Sequence, residues 1–300
     1  MTVRTRLAPT PSGLLHPGNG LSFVLTWALA RAAGGEVLLR IDDLDKARRR
    51  REYLEDVFET LDWLGLDYDT GPGGPDDFLK NYSQHTRLDL YRAVLERLRE
   101  SGYLYACTCS RRQIREASPS GIYPLTCRKL RLPFEAERTA WRVSVPAGKK
   151  VTFREWQSGE REINLAEAMG DFVVRQKNKM PAYQIASLVD DLQYGINFIV
   201  RGEDLLDSTA AQIYLAELLG EDAFLRSLFW HHGLLTDESG GKLSKTKGAG
   251  SLRGWRETGK SPQSLYRQAG SWLGLAEQEI GSLEDLVEQV KVFLEAHPLS

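Results

Sequence analysis

Residues 6–20 read RLAPTPSGLLHPGNG. Ahead of them, residues 2–7 (TVRTRL) form a short apolar-alternating lead, which predicts a first β-strand. Behind them, residues 21–33 (LSFVLTWALARAA) have the apolar density of a buried helix. The quoted stretch is therefore a strand-to-helix turn rich in Pro and Gly. At the carboxyl end of a parallel strand, such a turn is where α/β sheets bind nucleotides. The free N–H groups and the dipole at the helix start attract anions. Gly18 and Gly20 would let a ligand approach the backbone closely, and His16 stands where it could donate to a phosphate. As structure alone, the same letters are a Pro/Gly turn with an ordinary surface His.

The frame around this turn is an α/β one. Residues 36–41 (EVLLRI) follow Gly34-Gly35 as a continuous apolar run, hence a buried second strand and a right-handed βαβ unit. Asp42, Asp43 and Asp45 come at that strand's end, where acids hold an ammonium, a ribose or a metal, or cap the next helix. Arg48, Arg49, Arg50 and Arg51 open a helix expected to run to about Leu64. Their run reads as a solvated face, with RNA phosphate contact as the alternative. Residues 82–100 read as an amphipathic helix. Residues 197–201 (NFIVR) are another buried strand, ending in Arg201. An Arg directly after an apolar strand and before Gly can hold a ligand carboxylate bidentately. A helix over 208–219 is expected to be capped by Asp207-Ser208, and a strand follows at 228–231.

Between these parts the pattern changes. Cys107, Cys109 and Cys127 are the only cysteines, all within one short segment. Two thiolates one residue apart can share an ion, and Cys127 could supply a third ligand. The plainer reading is three buried thiols beside a core Tyr123. The clustering of every cysteine favours a structural metal. Residues 141–145, 151–156 and 171–175 then read as short antiparallel strands. The composition suits one large or two modest domains: 300 residues, 42% hydrophobic, 27% charged. A formal net charge of −2 speaks against non-specific polyanion binding. No apolar run reaches the ~18 residues of a spanning helix and no signal peptide is evident, so no membrane partner and a cytoplasmic location are expected. Residues 242–246 (KLSKT) place two lysines and hydroxyls on a Gly-flanked loop that can close over a triphosphate. No GxxxxGK[ST] occurs, so this is not a Walker A loop. Residues 251–300 predict two helices, 261–272 and 283–297.

Taken together, RLAPTPSGLLHPGN, IDDLD, WLGLDYDTGP, GDFVVRQKNKMPAYQIASLVDD and KLSKT resemble class I glutamyl-tRNA synthetases over roughly residues 3–251. His16-Pro17-Gly18-Asn19 stands in place of the HIGH motif, with Asn19 for its second His. KLSKT stands in place of KMSKS. Asp42 takes the place of a family Glu and is one methylene shorter. The resemblance implies an α/β architecture of the class I synthetase type: a Rossmann (HUP-like) nucleotide-binding fold with an inserted zinc-containing α+β segment. The expected layout is the first half of the catalytic domain at 1–102, the insert at 103–180, the second half at 181–250 and a helical tail at 251–300. The chain ends 54 residues past Thr246, less than the ~100–150 residues of an anticodon-reading domain.

The match is to the glutamyl-queuosine tRNA(Asp) synthetase family, truncated paralogues of the glutamyl enzyme. It implies activation of L-glutamate with ATP and Mg²⁺ to glutamyl-adenylate. Transfer to queuosine at the wobble position of tRNA(Asp), presented by its anticodon loop, would follow. His16, Gly18, Asn19, Lys242 and Lys245 would serve catalysis, with His16, Gly18 and Lys245 holding ATP. Arg6, Ala8, Thr10, Asp42, Tyr183 and Arg201 would hold glutamate. Cys107, Cys109, Tyr123 and Cys127 would hold Zn²⁺, Tyr123 standing where the short paralogues carry a zinc-ligating Tyr. Two other readings stay open: a minimal glutamyl-tRNA synthetase charging a tRNA 3′ end, and a non-catalytic zinc-stabilised RNA-binding paralogue.

Overall fold

A computed structural model describes residues 2–235 and 250–299. The described chain divides into two compact units, residues 1–86, 196–204 and 228–300 in one, residues 87–195 and 205–227 in the other.

The first unit is built on parallel strands. Arg4–Leu7 pairs in parallel with Glu36–Leu39, and Phe198–Gly202 in parallel with Leu228–His232. Asn197 joins the pairs. Its N–H donates to the Arg4 carbonyl at 3.0 Å, and its side-chain oxygen accepts from the Arg4 N–H at 2.8 Å. From Arg4–Leu7 the chain moves to one side, through the helix Pro17–Ala32, and builds Glu36–Leu39. The later strands build the other side. Arg4–Leu7 and Phe198–Gly202 thus flank the point where strand order reverses. The crevice outside the carboxyl ends at such a point is where open α/β sheets take ligands.

The helix of this βαβ unit begins four residues earlier than its apolar density predicts. His16 is its extended N-cap and Pro17 its first residue. The turn Pro17-Gly18-Asn19-Gly20 carries no apolar periodicity, so hydrophobic pattern cannot see it. The Pro is pre-set for that position and lacks only an N–H the helix would not use. Gly20 has a packing role rather than a ligand-facing one. A Cβ there would lie 2.9 Å from Leu252 and 3.1 Å from Leu265, so its absence lets the C-terminal helices close on the nucleotide-type turn. Three helices form in that tail, Leu252–Glu257, Gln263–Trp272 and Leu283–Ala296, one more than expected.

The helix after the acidic strand end is Arg51–Trp63, so most of the arginine run precedes it. All four arginines are ion-paired: Arg48 to Asp45, Arg49 to Asp43, Arg50 to Glu52, and Arg51 to Glu55 and Asp76. That pattern fits the solvated face.

The second unit carries an antiparallel sheet, Leu104–Cys107, Ala140–Val143 and Val173–Arg175 in that order. A hairpin pairs Lys150–Glu155 with Gly159–Asn164. The second arm, GEREIN, is largely exposed and shows no apolar alternation, which is why only its partner was legible. The expected amphipathic helix is Leu88–Glu100; its first turn is instead a 3-10 helix, Gln84–Arg87, preceded by a π-turn, Phe78–Tyr82. The helix Leu206–Leu219 starts directly from a 3-10 turn, Glu203–Leu205, and has no side-chain cap, so Asp207 and Ser208 lie inside it rather than capping it.

Candidate active site and metal centre

At the reversal point the first unit gathers two buried guanidinium groups. Arg6, near the end of its strand, is 4% exposed, and Arg201, on the neighbouring strand, is 3% exposed. An Arg6 Nη donates to the carbonyl of Val200 at 3.2 Å, so the side chain reaches across to the strand that carries Arg201. The Arg201 guanidinium lies 5.5 Å from the Phe229 ring centroid. Two buried cations on neighbouring strands favour a ligand with more than one anionic group.

The loop beyond Leu7 runs beside the acidic strand end. The Arg40 N–H donates to the Leu7 carbonyl and the Asp42 N–H to the Pro9 carbonyl, each at 2.9 Å. This sets Ala8 and Thr10, on either side of Pro9, against Asp42. The Asp42 carboxylate receives Arg40 on both oxygens, Nε at 2.8 Å and Nη2 at 3.0 Å, and Gln84 Nε2 at 3.4 Å. Asp43 turns the other way and is buried. It accepts from the Gln84 N–H at 2.8 Å, Ser83 Oγ at 2.7 Å and Arg49 at 2.5 Å. It therefore caps the distant 3-10 helix, not the helix that follows it.

His16 N–H donates to Asn19 Oδ1 at 3.1 Å, so Asn19 folds back to close the first turn. A Cβ on Gly18 would sit 3.0 Å from His16 Cε1 and 3.1 Å from Nδ1. The imidazole therefore lies over the space that Gly18 leaves empty. Just upstream, the Leu15 N–H donates to Asp56 Oδ2 at 3.2 Å, and the Leu15 carbonyl accepts from Leu252 N–H at 2.8 Å. Asp56 is fully buried and its other oxygen accepts from Arg253 at 3.3 Å and Arg256 at 2.8 Å. Residues 250–256 are thereby tied to the loop before His16. Sequence reasoning passed over Asp56; its signal is an acid on the apolar face of a helix, between Leu54 and Val57. Lys242 and Lys245 lie outside the described residues. Tyr183, in the second unit, is the first residue of the helix Tyr183–Gln193 and is 38% exposed.

The second unit brings the cysteines together as their clustering predicts. Cys107 closes a strand, Cys109 follows two residues on, and Cys127 returns beside them. The three sulfurs lie within 4.8 Å of one another, with Cys109 and Cys127 3.5 Å apart. No disulfide joins them. Tyr123 Oη is 3.3 Å from Cys107 Sγ and 3.5 Å from Cys109 Sγ. A tetrahedral Zn²⁺ needs S···S of about 3.8 Å and S···O of about 3.5 Å. The four atoms therefore fit one zinc, with small adjustments. Burial pushes the Tyr123 phenol and the Cys109 thiol up, while hydrogen bonds from Tyr123 and the Thr108 N–H outweigh burial at Cys127 and bring it down to about 7. A dication at the centre would favour the charged form of all four.

Comparison with known proteins identifies the family. The family described as tRNA synthetases class I (E and Q), catalytic domain, matches residues 2–298. A glutamyl-Q tRNA(Asp) synthetase of Symbiobacterium thermophilum is 39% identical over 289 residues, covering 91% of this chain and 87% of that protein. A glutamate–tRNA ligase of the same organism is also 39% identical, over 280 residues, but the matched part is 88% of this chain and 57% of the ligase. The crystal structure of a glutamate-tRNA synthetase from Elizabethkingia anophelis superposes with a TM-score of 0.80 at 26% identity, over 97% of this chain and 66% of that one. No described helix is long and apolar enough to cross a membrane. The chain therefore belongs to the class I glutamyl- and glutaminyl-tRNA synthetase family, and within it to the group of glutamyl-Q tRNA(Asp) synthetases.

Proposed function

We propose that this protein activates L-glutamate with ATP and transfers the glutamyl group to queuosine in tRNA(Asp). The observation that carries the first half is that Arg6 and Arg201 are both buried on neighbouring strands at the sheet's reversal point. Two guanidiniums suit a substrate with two carboxylates, and Asp42 suits its ammonium. Ala8 and Thr10 border the same place, and Tyr183 is assigned to glutamate on the resemblance alone. The chemistry is in-line attack of a glutamate carboxylate on the α-phosphate of ATP, with pyrophosphate leaving. It needs positioning and charge stabilisation rather than a protein nucleophile. His16, the helix start at Gly18, Asn19, and the lysines at 242 and 245 are assigned that task. Mg²⁺, when bound with ATP, would neutralise phosphate charge. In the second step a queuosine hydroxyl attacks the glutamyl carbonyl. An ester forms, AMP leaves, and the hydroxyl proton is lost. The relatives called glutamyl-Q tRNA(Asp) synthetase support that acceptor.

The decisive experiment is glutamate-dependent ATP–pyrophosphate exchange without RNA, followed by acceptor analysis. Exchange should proceed with no RNA present. Radiolabelled glutamate should then appear on queuosine-bearing tRNA(Asp), and on its isolated anticodon stem-loop, and should survive removal of the 3′-terminal adenosine. Label that leaves with that adenosine, or that appears on unmodified tRNA(Glu), would establish the minimal charging enzyme instead. No exchange at all would establish the non-catalytic paralogue.

A second outcome follows from the seat of His16. Gly18→Ala would put a methyl carbon 3.0 Å from His16 Cε1 and 3.1 Å from Nδ1, so the imidazole must give way by a few tenths of an ångström. A misplacement of about 1 Å at a reacting centre can cost on the order of 100-fold, and this smaller shift should lower exchange about 3- to 10-fold. The fold should not suffer, because Ala is a better helix former than Gly by roughly 0.5–1 kcal/mol. Unchanged exchange in a variant that melts like the parent would remove His16 from the phosphate site.

A further inference from the structure

Beyond its possible ligands, the metal centre has an unusual neighbour. Tyr105 and Arg142 are a cross-strand pair in the antiparallel sheet, and Cys107 lies two residues beyond Tyr105. Side chains two apart on a strand share a face, so Tyr105, Cys107 and Arg142 project to the same side. Tyr123 lies over that side. The Arg142 guanidinium carbon is 3.7 Å from the Tyr123 ring centroid, close enough for a stacked cation. The Tyr105 ring stands 6.5 Å from Tyr123 as a second wall.

Arg142 is only 7% exposed. One Nη donates to the Asp171 carbonyl at 2.6 Å, while its buried Nε has no hydrogen-bond partner among the described residues. A buried guanidinium that leaves a donor unused is not held by hydrogen bonds alone, and here the ring face supplies the rest. Asp171 is itself fixed, by Tyr105 Oη at 2.7 Å and the Val145 N–H at 2.8 Å, so the stack has a rigid support. The tip of the ring is held as well: the Cys127 N–H donates to Tyr123 Oη at 2.8 Å. The oxygen faces the sulfurs and the cation covers the ring.

We propose that Arg142 is a positioning residue of the metal centre. Its guanidinium locks the Tyr123 ring so that the phenol oxygen, and not a water, completes the three-sulfur set. It also offsets the charge of the filled site. Three thiolates and a phenolate around a dication sum to −2, and Arg142 is a buried cation against the least acidic of those ligands. On metal entry the thiol and phenol protons leave to solvent. The inference rests on the zinc reading of the cluster and is independent of the acceptor.

The test is a two-by-two cycle on the full chain, Arg142→Met and Tyr123→Phe, singly and together. Metal analysis gives stoichiometry, and competition with a chromophoric chelator gives zinc affinity. The wild type should hold about one Zn²⁺ per chain. Arg142→Met should weaken zinc roughly 10- to 100-fold, the usual size of such outer-ligand effects. Tyr123→Phe keeps the ring under Arg142 but removes the oxygen, so adding Arg142→Met to it should cost clearly less than in the parent, only the part due to the thiolate charge remaining. Equal losses in both backgrounds would make Arg142 merely structural and overturn the proposal, as would wild-type affinity in Arg142→Met. If Arg142→Met does not fold, Arg142→Lys, which keeps the charge but not the flat stack, replaces it under the same criteria. A wild type without stoichiometric zinc would overturn the metal reading itself, a separate result.

Discussion

Arg201→Ala is expected to slow glutamate-dependent pyrophosphate exchange by about 100-fold or more. Arg201 is buried at the edge of the crevice where strand order reverses, one strand from the equally buried Arg6. Removing one partner of a buried, hydrogen-bonded charge pair costs roughly 2–5 kcal/mol, much of it from the ligand charge left without a counterion. At 1.36 kcal/mol per factor of ten, that range brackets the stated loss. Arg201→Lys should recover little, because an ammonium cannot make the paired, planar contact to a carboxylate. The loss should fall on glutamate and spare ATP, so KM for ATP should stay within a few-fold. A general unfolding would instead cut the active fraction, lowering the maximal rate with both KM values unchanged, and would lower the melting temperature. If Arg201→Ala exchanges pyrophosphate at the parent rate, glutamate lies elsewhere and the two-guanidinium pocket is wrong.

What the sequence made legible, and what it did not, follows from the range of the signals. Arg201 was readable because strand, Arg and Gly are consecutive letters. The cysteine cluster was readable because every cysteine falls in one segment. Arg40 on Asp42 was legible in principle, since residues two apart on an extended chain share a side. Asp56 was hidden because its partners, Arg253 and Arg256, are about 200 positions away, and only the fold brings them to it. Arg142 was hidden for the same reason at shorter range. Without the strand register nothing says that it faces Tyr123 and not the other side of the sheet. The first turn of the helix Pro17–Ala32 and the hairpin arm Gly159–Asn164 were lost differently. Neither buries an apolar stripe, and periodicity reports only burial.

The largest stability effect belongs to a cluster of this hidden kind, in the second unit. Asp190 is fully buried in the helix Tyr183–Gln193 and accepts three hydrogen bonds: Arg87 Nε at 2.8 Å, Arg87 Nη2 at 3.1 Å and Tyr91 Oη at 2.7 Å. Arg87 and Tyr91 sit at and near the start of the helix Leu88–Glu100, so one carboxylate fastens two helices. Burial, with Asp190 beside it, pushes the Tyr91 phenol well above its usual range, so it stays a donor throughout the neutral range. Asp190→Leu would remove the carboxylate that a buried guanidinium and a buried hydroxyl share. Breaking a buried ion pair from one side costs about 3–5 kcal/mol. For a unit of this size that lowers the melting temperature by on the order of 10 °C. The penalty belongs to the orphaned cation, not to the pair's net worth. Adding Arg87→Met to Asp190→Leu should therefore recover a substantial part of the loss, because apolar replacements of a buried pair are often close to neutral. Calorimetry of the two single variants and the double variant decides it. If the double variant is as unstable as the sum of the singles, the pair does not act as a unit, and the clasp between these helices must come from the apolar packing around it.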